Sequence, residues 1–403
     1  MKIKNKINPG FKPSPLGPIP NDWDVMEFGE FTKLEKGKYA PAENENIKCL
    51  ELEHFEQGTG AINGWLNSSE QKSTKNIFQK GQVLFGKLRP YLQKYWLAEF
   101  NGVCSSEVWV MTSKDTKCNN EFLFRLVQTS RFIQVANVSS GSKMPRADWD
   151  YVSSFPFPIP PLPEQQKIAA ILSTWDTAIS KTKQLINKLK ERNRGLQQQL
   201  LTGKKRINGF EETRWVKITA DSIFKSISTK NNNGNEQLLS VTQDRGAIPR
   251  DMLEGRVTMP SGDTNSFKLV EPGDFIISLR SFQGGLEYSE YRGLVSPAYT
   301  VLKPIKPIDH DFYKYYFKSY DFIGHLAIAV IGIRDGKQIS FDDFCTVKLP
   351  NPSKDEQTKI AEVLSAAGNE VKIQEKKLEA LKQQKKGLMQ KLLTGKIRVN
   401  SKI

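Results

Sequence analysis

The chain has 403 residues, which is enough for two or three domains, each with its own hydrophobic core. Its formal net charge of +15 favours an acidic binding partner, with nucleic acid as the first candidate, although lysine can also serve only to keep a surface soluble. The four scattered cysteines, the lack of a long apolar run and the polar start MKIKNKINPG argue against structural zinc, a disulfide framework, a membrane span and secretion, and they predict a soluble cytoplasmic protein.

Two kinds of segment alternate along the chain. Mixed segments with short β-type runs, such as 83–85, 108–110 and 275–277, predict α+β globules. Each globule also holds one helix-like stretch, near 121–136 in the first and near 311–331 in the second. Between and after them, segments rich in Gln, Lys, Leu and Ala predict long helices. We divide the chain into an N-terminal arm (1–22), a first globule (23–160), a central helix (161–207), a second globule (208–350) and a C-terminal helix and tail (351–403).

The two halves of the chain repeat one another. Displacing the sequence by 192 residues aligns 164–207 with 356–399 without a gap, with 18 identities in 44 positions, and it places Trp23 over Trp215. Near their ends both aligned segments contain Leu-Leu-Thr-Gly-Lys. Because this motif lacks the upstream glycine of a P-loop and follows a helix, it predicts a helix end rather than a phosphate site. The chain is therefore predicted to be a tandem duplication.

In both long helices, apolar residues recur with the alternating spacing of three and four that is typical of a coiled coil. The alternative is a pair of amphipathic helices that each pack only on their own globule. The predicted apolar seam consists of Ile168, Leu172, Trp175, Ile179, Ile186, Leu189, Leu196, Leu200, Ile360, Leu364, Val371, Leu378, Leu381, Leu388 and Leu392.

The polar positions of this pattern favour an antiparallel pair. Parallel pairing in register would place Thr182 against Gln374, which makes a polar layer. It would also place Asn193 against Lys385 and make a second one. Antiparallel pairing gives each polar side chain an apolar neighbour, and it sets Trp175 against Lys385, whose aliphatic stem can pack while its ammonium reaches water. It also separates the two globules along a rod of roughly 55 Å, about one and a half turns of B-DNA.

The predicted fold class is therefore α+β: two α/β-type globules joined by two long helices that form an antiparallel coiled coil, with an internal pseudo-two-fold repeat. The helices carry most of the positive charge, with ten Lys and Arg against three Asp and Glu in 164–206 and ten against five in 356–398. This excess can attract DNA phosphates, complement a protein partner, or form the solvated outer face of a coiled coil.

Loops beside the predicted strands carry the residue types that bind DNA. Arg and Lys side chains match guanine O6 and N7, Gln matches adenine, and Ser, Lys and backbone amides match phosphates. Polar turns held by Arg–carboxylate pairs are the structural alternative. The candidate DNA contacts are Lys87, Arg89, Tyr91, Lys94, Ser142, Lys143, Arg146, Arg280, Ser281, Gln283, Arg334, Lys337 and Gln338.

The chain resembles the specificity (S) subunits of type I restriction-modification systems. The resemblance covers nearly the whole chain and rests on the tandem globules, the stretch GQVLFGKLRPYLQKYW, the segment PIPPLPEQQKIAAILS that leads into the central helix, and LLTGK at the end of both helices. The second half departs from the pattern at FIISLRSFQGGLEYS and PNPSKDEQ.

This resemblance implies that each globule is a target-recognition domain that reads one half of an asymmetric, two-part DNA site. The two helices would set the spacing and hold two methyltransferase (M) subunits, to which restriction (R) subunits attach. The chain itself would not be an enzyme. The holoenzyme would be an adenine-N6 DNA methyltransferase and ATP-dependent endonuclease, with S-adenosylmethionine, ATP and Mg²⁺ bound by the partner subunits and none of them by this chain.

The residues alone leave two other functions open. One is a coiled-coil, DNA-binding scaffold of a non-restriction complex, and the other is a DNA enzyme whose catalytic centre has no familiar motif. The sequence has no Gly-x-Gly-x-x-Gly loop, no Asn/Asp-Pro-Pro-aromatic loop, and three histidines that are not spaced as metal ligands.

Overall fold

The computed structural model describes residues 9–114, 117–138, 144–230, 236–253, 264–329 and 339–399. The chain forms two compact units. Unit 1 comprises Met1–Lys183 together with Lys377–Ile403, and unit 2 comprises Gln184–Lys376. The predicted globules fall inside units 1 and 2 respectively, and their boundaries remain predictions. None of the described helices combines the length and the apolar character that crossing a membrane requires.

Unit 1 is built on two main sheets. Its strands are β1 (Phe11–Lys12), β2 (Ile19–Pro20), β3 (Asp24–Glu27), β4 (Thr32–Leu34), β5 (Lys38–Tyr39), β6 (Lys48–Leu50), β7 (Leu66–Asn67), β8 (Lys75–Phe78), β9 (Val83–Gly86), β10 (Tyr95–Leu97), β11 (Gly102–Cys104), β12 (Val108–Ser113) and β13 (Pro156–Ile159). Its helices are α1 (Phe28–Phe31), α2 (Asn120–Leu126), α3 (Ser130–Ala136), α4 (Trp149–Ser153) and the first part of α5 (Leu162–Leu201). The order β10-β9-β12-β4 forms an antiparallel sheet, and β5-β8-β11-β6-β7 forms a mixed sheet in which β11 and β6 are parallel.

Unit 2 contains the end of α5 and a smaller set of strands. These are β14 (Val216–Thr219), β15 (Phe224–Ile227), β16 (Leu239–Thr242), β17 (Gly246–Pro249), β18 (Lys268–Val270), β19 (Phe275–Ile277), β20 (Glu287–Tyr288), β21 (Gly293–Val295), β22 (Thr300–Pro304) and β23 (Lys348–Asn351). Its helices are α6 (Ser281–Gly284), α7 (His310–Tyr316), α8 (Tyr320–Ala329), α9 (Phe341–Cys345) and the first part of α10 (Lys354–Leu392).

The same sheet arrangement recurs in both units. The order β10-β9-β12-β4 of unit 1 corresponds to β20-β19-β22-β15 of unit 2. The antiparallel pair β13–β3 corresponds to β23–β14, and in each unit the later strand of this pair leads directly into a long helix. The internal repeat therefore extends from the helices through the globules, and the predicted fold class is confirmed.

The helix-like stretches near 121–136 and 311–331 each contain two short helices rather than the single helix predicted. The Thr129 hydroxyl accepts the backbone N–H three residues ahead at 3.1 Å and starts α3. The Ser319 hydroxyl does the same at 3.2 Å for α8. A side chain that caps a new helix favours an interruption over a continuous helix, and the apolar periodicity does not reveal it.

The two long helices run antiparallel within each unit. In unit 1, Lys385 Nζ lies 2.5 Å from Asp176 Oδ1. In unit 2, Arg192 Nη2 lies 2.7 Å from Glu370 Oε2, and Lys190 Nζ lies 2.7 Å from Glu375 Oε1. As residue numbers increase along α5, the numbers of the residues that it contacts on α10 decrease. The two helices are therefore antiparallel, as the polar positions predict. Between the two helices Asn193 Nδ2 also donates to the Ala367 carbonyl at 2.8 Å, so its polar group is satisfied beside an apolar partner.

Burial along the predicted seam is deepest where a helix also packs against a globule core. Ile168, Leu172 and Leu392 belong to the main core of unit 1, and Leu200, Ile360 and Leu364 belong to that of unit 2. The other buried members are Ile186, Leu189 and Val371, while the half-buried ones are Trp175, Ile179, Leu196, Leu378, Leu381 and Leu388. The helices thus serve the globules as well as each other.

Candidate DNA interface

The loop between β9 and β10 is conformationally strained. Arg89 and Gln93 both have a φ of +52°, and they are the only non-glycine residues with positive φ in the described part of the chain. They flank a short 3₁₀ helix, Pro90–Leu92. The Arg89 N–H donates to the Pro145 carbonyl at 2.7 Å, and the Gln93 carbonyl accepts from Gly58 at 3.0 Å. Because such backbone strain costs on the order of 1–3 kcal/mol per residue and clusters at functional sites, this loop is a prime candidate for recognition.

Two of the predicted contacts in this loop are presented to solvent. Arg89 is exposed and Tyr91 is 51% exposed. Lys87 is half-buried, and Lys94 Nζ donates to the Leu52 carbonyl at 2.6 Å, which ties its ammonium to the protein. The structure therefore favours the tip of the loop over its two ends.

Residues 144–146, the described end of the second candidate segment, lie beside the same loop. A β-bridge joins Leu88 to Arg146, so the two predicted DNA-contact segments are neighbours at this point. Arg146 Nε lies 3.0 Å from Glu107 Oε2, in an ion pair whose arginine is half exposed and which a phosphate can replace. Ser142 and Lys143 lie outside the described residues.

In unit 2 the equivalent position, after β19, is occupied by α6. Arg280 and Gln283 are exposed there. Ser281, by contrast, is fully buried, and its hydroxyl accepts the Ser278 N–H at 2.8 Å. In this structure Ser281 shapes the turn and is not presented to a ligand. The remaining candidates, Arg334, Lys337 and Gln338, lie outside the described residues.

An ion pair between the partly exposed Lys318 and the buried Glu287 lies beside α6. Lys318 Nζ lies 2.7 Å from Glu287 Oε1 and also donates to the carbonyls of Gly284 at 3.0 Å and Gln243 at 3.2 Å. Burial raises the pKa of Glu287, and the Lys318 ammonium opposes that rise. Sequence reasoning missed this pair because its two residues are 31 positions apart and belong to no shared motif.

Each unit also contains a Trp–Glu–Arg cluster that the sequence reasoning missed. In unit 1 the Glu164 carboxylate accepts from Trp23 Nε1 at 2.9 Å and from Arg398 Nε and Nη2 at 2.9 and 2.8 Å. In unit 2 the corresponding members are Glu356, with Trp215 Nε1 at 2.9 Å and with Arg206 Nε and Nη2 at 2.8 Å each. All three positions are related by the offset of 192, and this identity was the signal available in the sequence.

The Leu-Leu-Thr-Gly-Lys motif lies at the end of each long helix, next to one of these clusters. Gly203 and Gly395 end the helical segments with φ of +70° and +69°. A Cβ at Gly203 would lie 3.1 Å from the Trp215 ring, and one at Gly395 would lie 2.5 Å from the Pro20 ring. Each glycine therefore lets the end of a long helix dock closely on the globule, which explains the motif without any nucleotide.

Two buried thiols of unit 1 are not activated for catalysis. Burial raises the pKa of Cys49 to about 11 and that of Cys118 to about 12, so both thiols stay protonated at neutral pH. Within the described ranges, no group of three or more His, Cys, Asp or Glu side chains is placed to hold a metal ion.

Comparisons with known proteins agree with this picture. The chain matches the family model of the type I restriction modification DNA specificity domain twice, over residues 20–191 and 215–383. It is 34% identical over 161 residues to the EcoDI specificity subunit of Escherichia coli, an alignment that spans 39% of this chain and 36% of that relative. It is 24% identical over 418 aligned residues to the MjaVIII specificity subunit of Methanocaldococcus jannaschii, which spans 95% of both chains.

Solved structures show the same fold. The HsdS subunit of Thermoanaerobacter tengcongensis matches with a TM-score of 0.54 and 19% identity, over 94% of this chain and 98% of that one. A chain from the structure that describes complex assembly and conformational transition of the type I R-M system matches with a TM-score of 0.59 and 18% identity, over 94% and 99%. Since the family model covers most of both halves, the chain belongs to the family of type I restriction-modification DNA specificity subunits.

Proposed function

We propose that the two units of this specificity subunit each read one half of an asymmetric, two-part DNA site. The observation that carries the proposal is the position of the candidate loops. Two sheets of equivalent strand order present, after β9 and after β19, an exposed arginine on a loop of different length and conformation. A shared scaffold with unlike loops is what two recognition modules with different half-sites require. The chain acts in recognition rather than catalysis.

We further propose that the antiparallel coiled coil sets the spacing between the half-sites and docks two methyltransferase subunits, to which restriction subunits attach. The similarity of the two helix segments supports this, because both would face the same kind of partner. S-adenosylmethionine, ATP and Mg²⁺ belong to those partner subunits, and the assembly works in the cytoplasm, where its DNA is. The comparisons favour this role over a scaffold of a non-restriction complex.

Methylation sequencing tests the proposal directly. DNA from cells that express this chain with its methyltransferase partner should carry N6-methyladenine in one gapped motif with two unlike halves. A purified, intact complex that methylates no such motif would contradict the proposal, and an ungapped motif would refute the two-part reading.

The arginines on the two loops should each affect one half-site only. We expect Arg89→Ala to weaken discrimination in one half-site, and Arg280→Ala in the other, by about 1–3 kcal/mol if each makes a bidentate contact to guanine. Titration of the complex with duplexes mutated in either half measures this. Arg292→Ala is the control, since its guanidinium is occupied by Glu236 and Glu271. Equal weakening on all duplexes would instead identify phosphate contacts.

A fragment ending at Ile207 should dimerise. In the intact chain Leu392 and Leu393 complete the core of unit 1, and Arg398 completes its Trp–Glu–Arg cluster. At the offset of 192 the identical residue types recur as Leu200, Leu201 and Arg206, so a second copy of the fragment can supply them. Sedimentation equilibrium should show a dimer that Arg206→Ala weakens, and with the methyltransferase the dimer should recognise a palindromic site. A fragment that stays monomeric at high concentration would contradict this prediction.

A further inference from the structure

Unit 1 contains a cavity of about 600 Å³ between its globule and its two helix segments. This volume is typical of small-molecule sites. Its apolar wall is formed by side chains from α2, β13, α5 and α10, including Phe122, Phe157, Ile179 and Met389. Its polar wall is rich in cations, namely Arg131, Lys183, Lys382, Lys385, Lys386 and Lys396, with Asp176 as the acidic residue among the lining side chains.

Protein carboxylates neutralise only part of this positive charge. Asp176 is held by Lys385 and by the buried Arg125. Lys183 and Lys382 have weak partners, at 3.4 Å each, in Glu56 and Glu379. Across the described residues, Arg131, Lys386 and Lys396 make no ion pair with a carboxylate. Six cations in one cavity therefore leave an excess that favours an anion.

Arg131 has a buried hydrogen-bond donor that lacks an acceptor within the described structure. Its guanidinium lies 5.0 Å from the centre of the Phe155 ring and 5.8 Å from that of Phe157. Its Nε is buried and lacks a hydrogen-bond partner within the described structure, and its only other polar contact there is a long one, 3.4 Å, from Nη2 to the Pro156 carbonyl. Burial lowers the pKa of Arg131, which reflects a charge removed from water without an anionic partner. A buried donor of this kind costs free energy unless an acceptor reaches it.

Half of the cations in this cavity are not repeated in unit 2. At the offset of 192, Lys183 corresponds to Glu375 and Lys385 to Asn193. Arg131, the second residue of α3, corresponds to Asp321, the second residue of α8. Lys382, Lys386 and Lys396, by contrast, recur as Lys190, Arg194 and Lys204. Cations needed for DNA spacing or for docking the same partner type should recur in both units, so the three that are replaced by acidic or neutral residues indicate a function specific to unit 1.

We propose that this cavity binds a small organic anion, with its phosphate or carboxylate group at Arg131 and the cluster of lysines and its aromatic or aliphatic body against the apolar wall. Arg131 offers a planar set of donors suited to either group. The side chains of Gln93 and Gln128 also line the cavity and can bond to polar edges of the body. The cavity borders the loop between β9 and β10 at Gln93, but none of the candidate DNA contacts lines it, and the proposal does not rest on the proposed function.

Isothermal calorimetry on the full chain tests the proposal with two probe pairs. Adenosine monophosphate and benzoate carry the phosphate and the carboxylate, and adenosine and benzamide are their neutral counterparts. We expect saturable binding of at least one anion and none of its neutral counterpart. Arg131→Gln and Lys386→Gln should each weaken that binding about tenfold or more, because each removes a charged donor. The midpoint of thermal unfolding shows whether each variant is folded. Because Lys386 is exposed, Lys386→Gln should not disturb folding.

The repeat supplies a matched control. Arg194 occupies the position of Lys386 at the offset of 192, so Arg194→Gln removes the equivalent charge from unit 2 and should leave binding unchanged. Equal loss in Lys386→Gln and Arg194→Gln would show general attraction to the helices and overturn the proposal. So would the absence of binding by both anions up to about 1 mM, as would neutral probes that bind as tightly as the anions.

Discussion

Glu164→Ala and Glu356→Ala should each destabilise the protein by about 3–5 kcal/mol, because each removes the acceptor at the centre of a Trp–Glu–Arg cluster. The Glu164 and Glu356 side chains are only 2% and 1% exposed. In the first variant the fully buried Trp23 also loses the partner of its indole N–H. Urea denaturation followed by tryptophan fluorescence measures both losses.

The two variants should lose different amounts of stability. Arg398 is 37% exposed and keeps Asp22 at 2.7 Å, whereas Arg206 is 15% exposed. Water and Asp22 compensate Arg398 when its glutamate is lost, so Glu164→Ala belongs at the lower end of the range and Glu356→Ala at the upper end.

The control is Glu362→Ala, which removes an exposed glutamate of α10 whose one ion pair within the described residues is with the exposed Lys359. It should change the free energy of unfolding by about 0–1 kcal/mol. If all three variants change the free energy of unfolding equally, the clusters do not anchor the helix ends. The close packing at Gly203 and Gly395 would then not contribute to stability.

The long helices and their orientation were predictable because their signal is local and repeated. Four-to-five heptads of apolar residues specify each helix, and polar residues such as Asn193 distinguish the two pairings. The division of the stretch near 121–136 was not predictable, since it depends on one hydroxyl at Thr129 that either points to solvent or caps a helix. The Trp–Glu–Arg clusters join residues more than 140 positions apart, and only the matched repeat hinted at them.

For the candidate site, composition predicted which loops are rich in donors but not which donors face outward. Arg89 and Ser281 are both polar residues in such loops, yet one is exposed and the other is completely buried. The difference lies in the backbone path: a left-handed conformation turns Arg89 outward, while Ser281 caps its own turn. Neither conformation follows from residue type, because arginine rarely adopts positive φ.

The other substitution with a large expected effect on stability is Gly285→Ala, directly after α6 in unit 2. Gly285 has a φ of +74°, and a Cβ there would lie 1.8 Å from the Phe317 carbonyl oxygen. Because backbone atoms cannot yield as a side chain can, Gly285→Ala must push α6 away from the α7–α8 connection. That movement withdraws Lys318 from Gly284 and from the buried Glu287. An uncompensated buried carboxylate costs about 3–5 kcal/mol.

We therefore expect Gly285→Ala to lower stability by about this amount and to abolish discrimination in the half-site of unit 2, since Arg280 and Gln283 move with α6. Discrimination in the other half-site should persist. Denaturation and duplex titration measure the two effects. The matched control is Gly284→Ala, whose Cβ would lie 2.8 Å from Gln243 Nε2, the free end of a flexible side chain. It should cost less than about 1 kcal/mol, and an equal effect of both variants would mean that the contact with Phe317 does not hold the recognition loop in place.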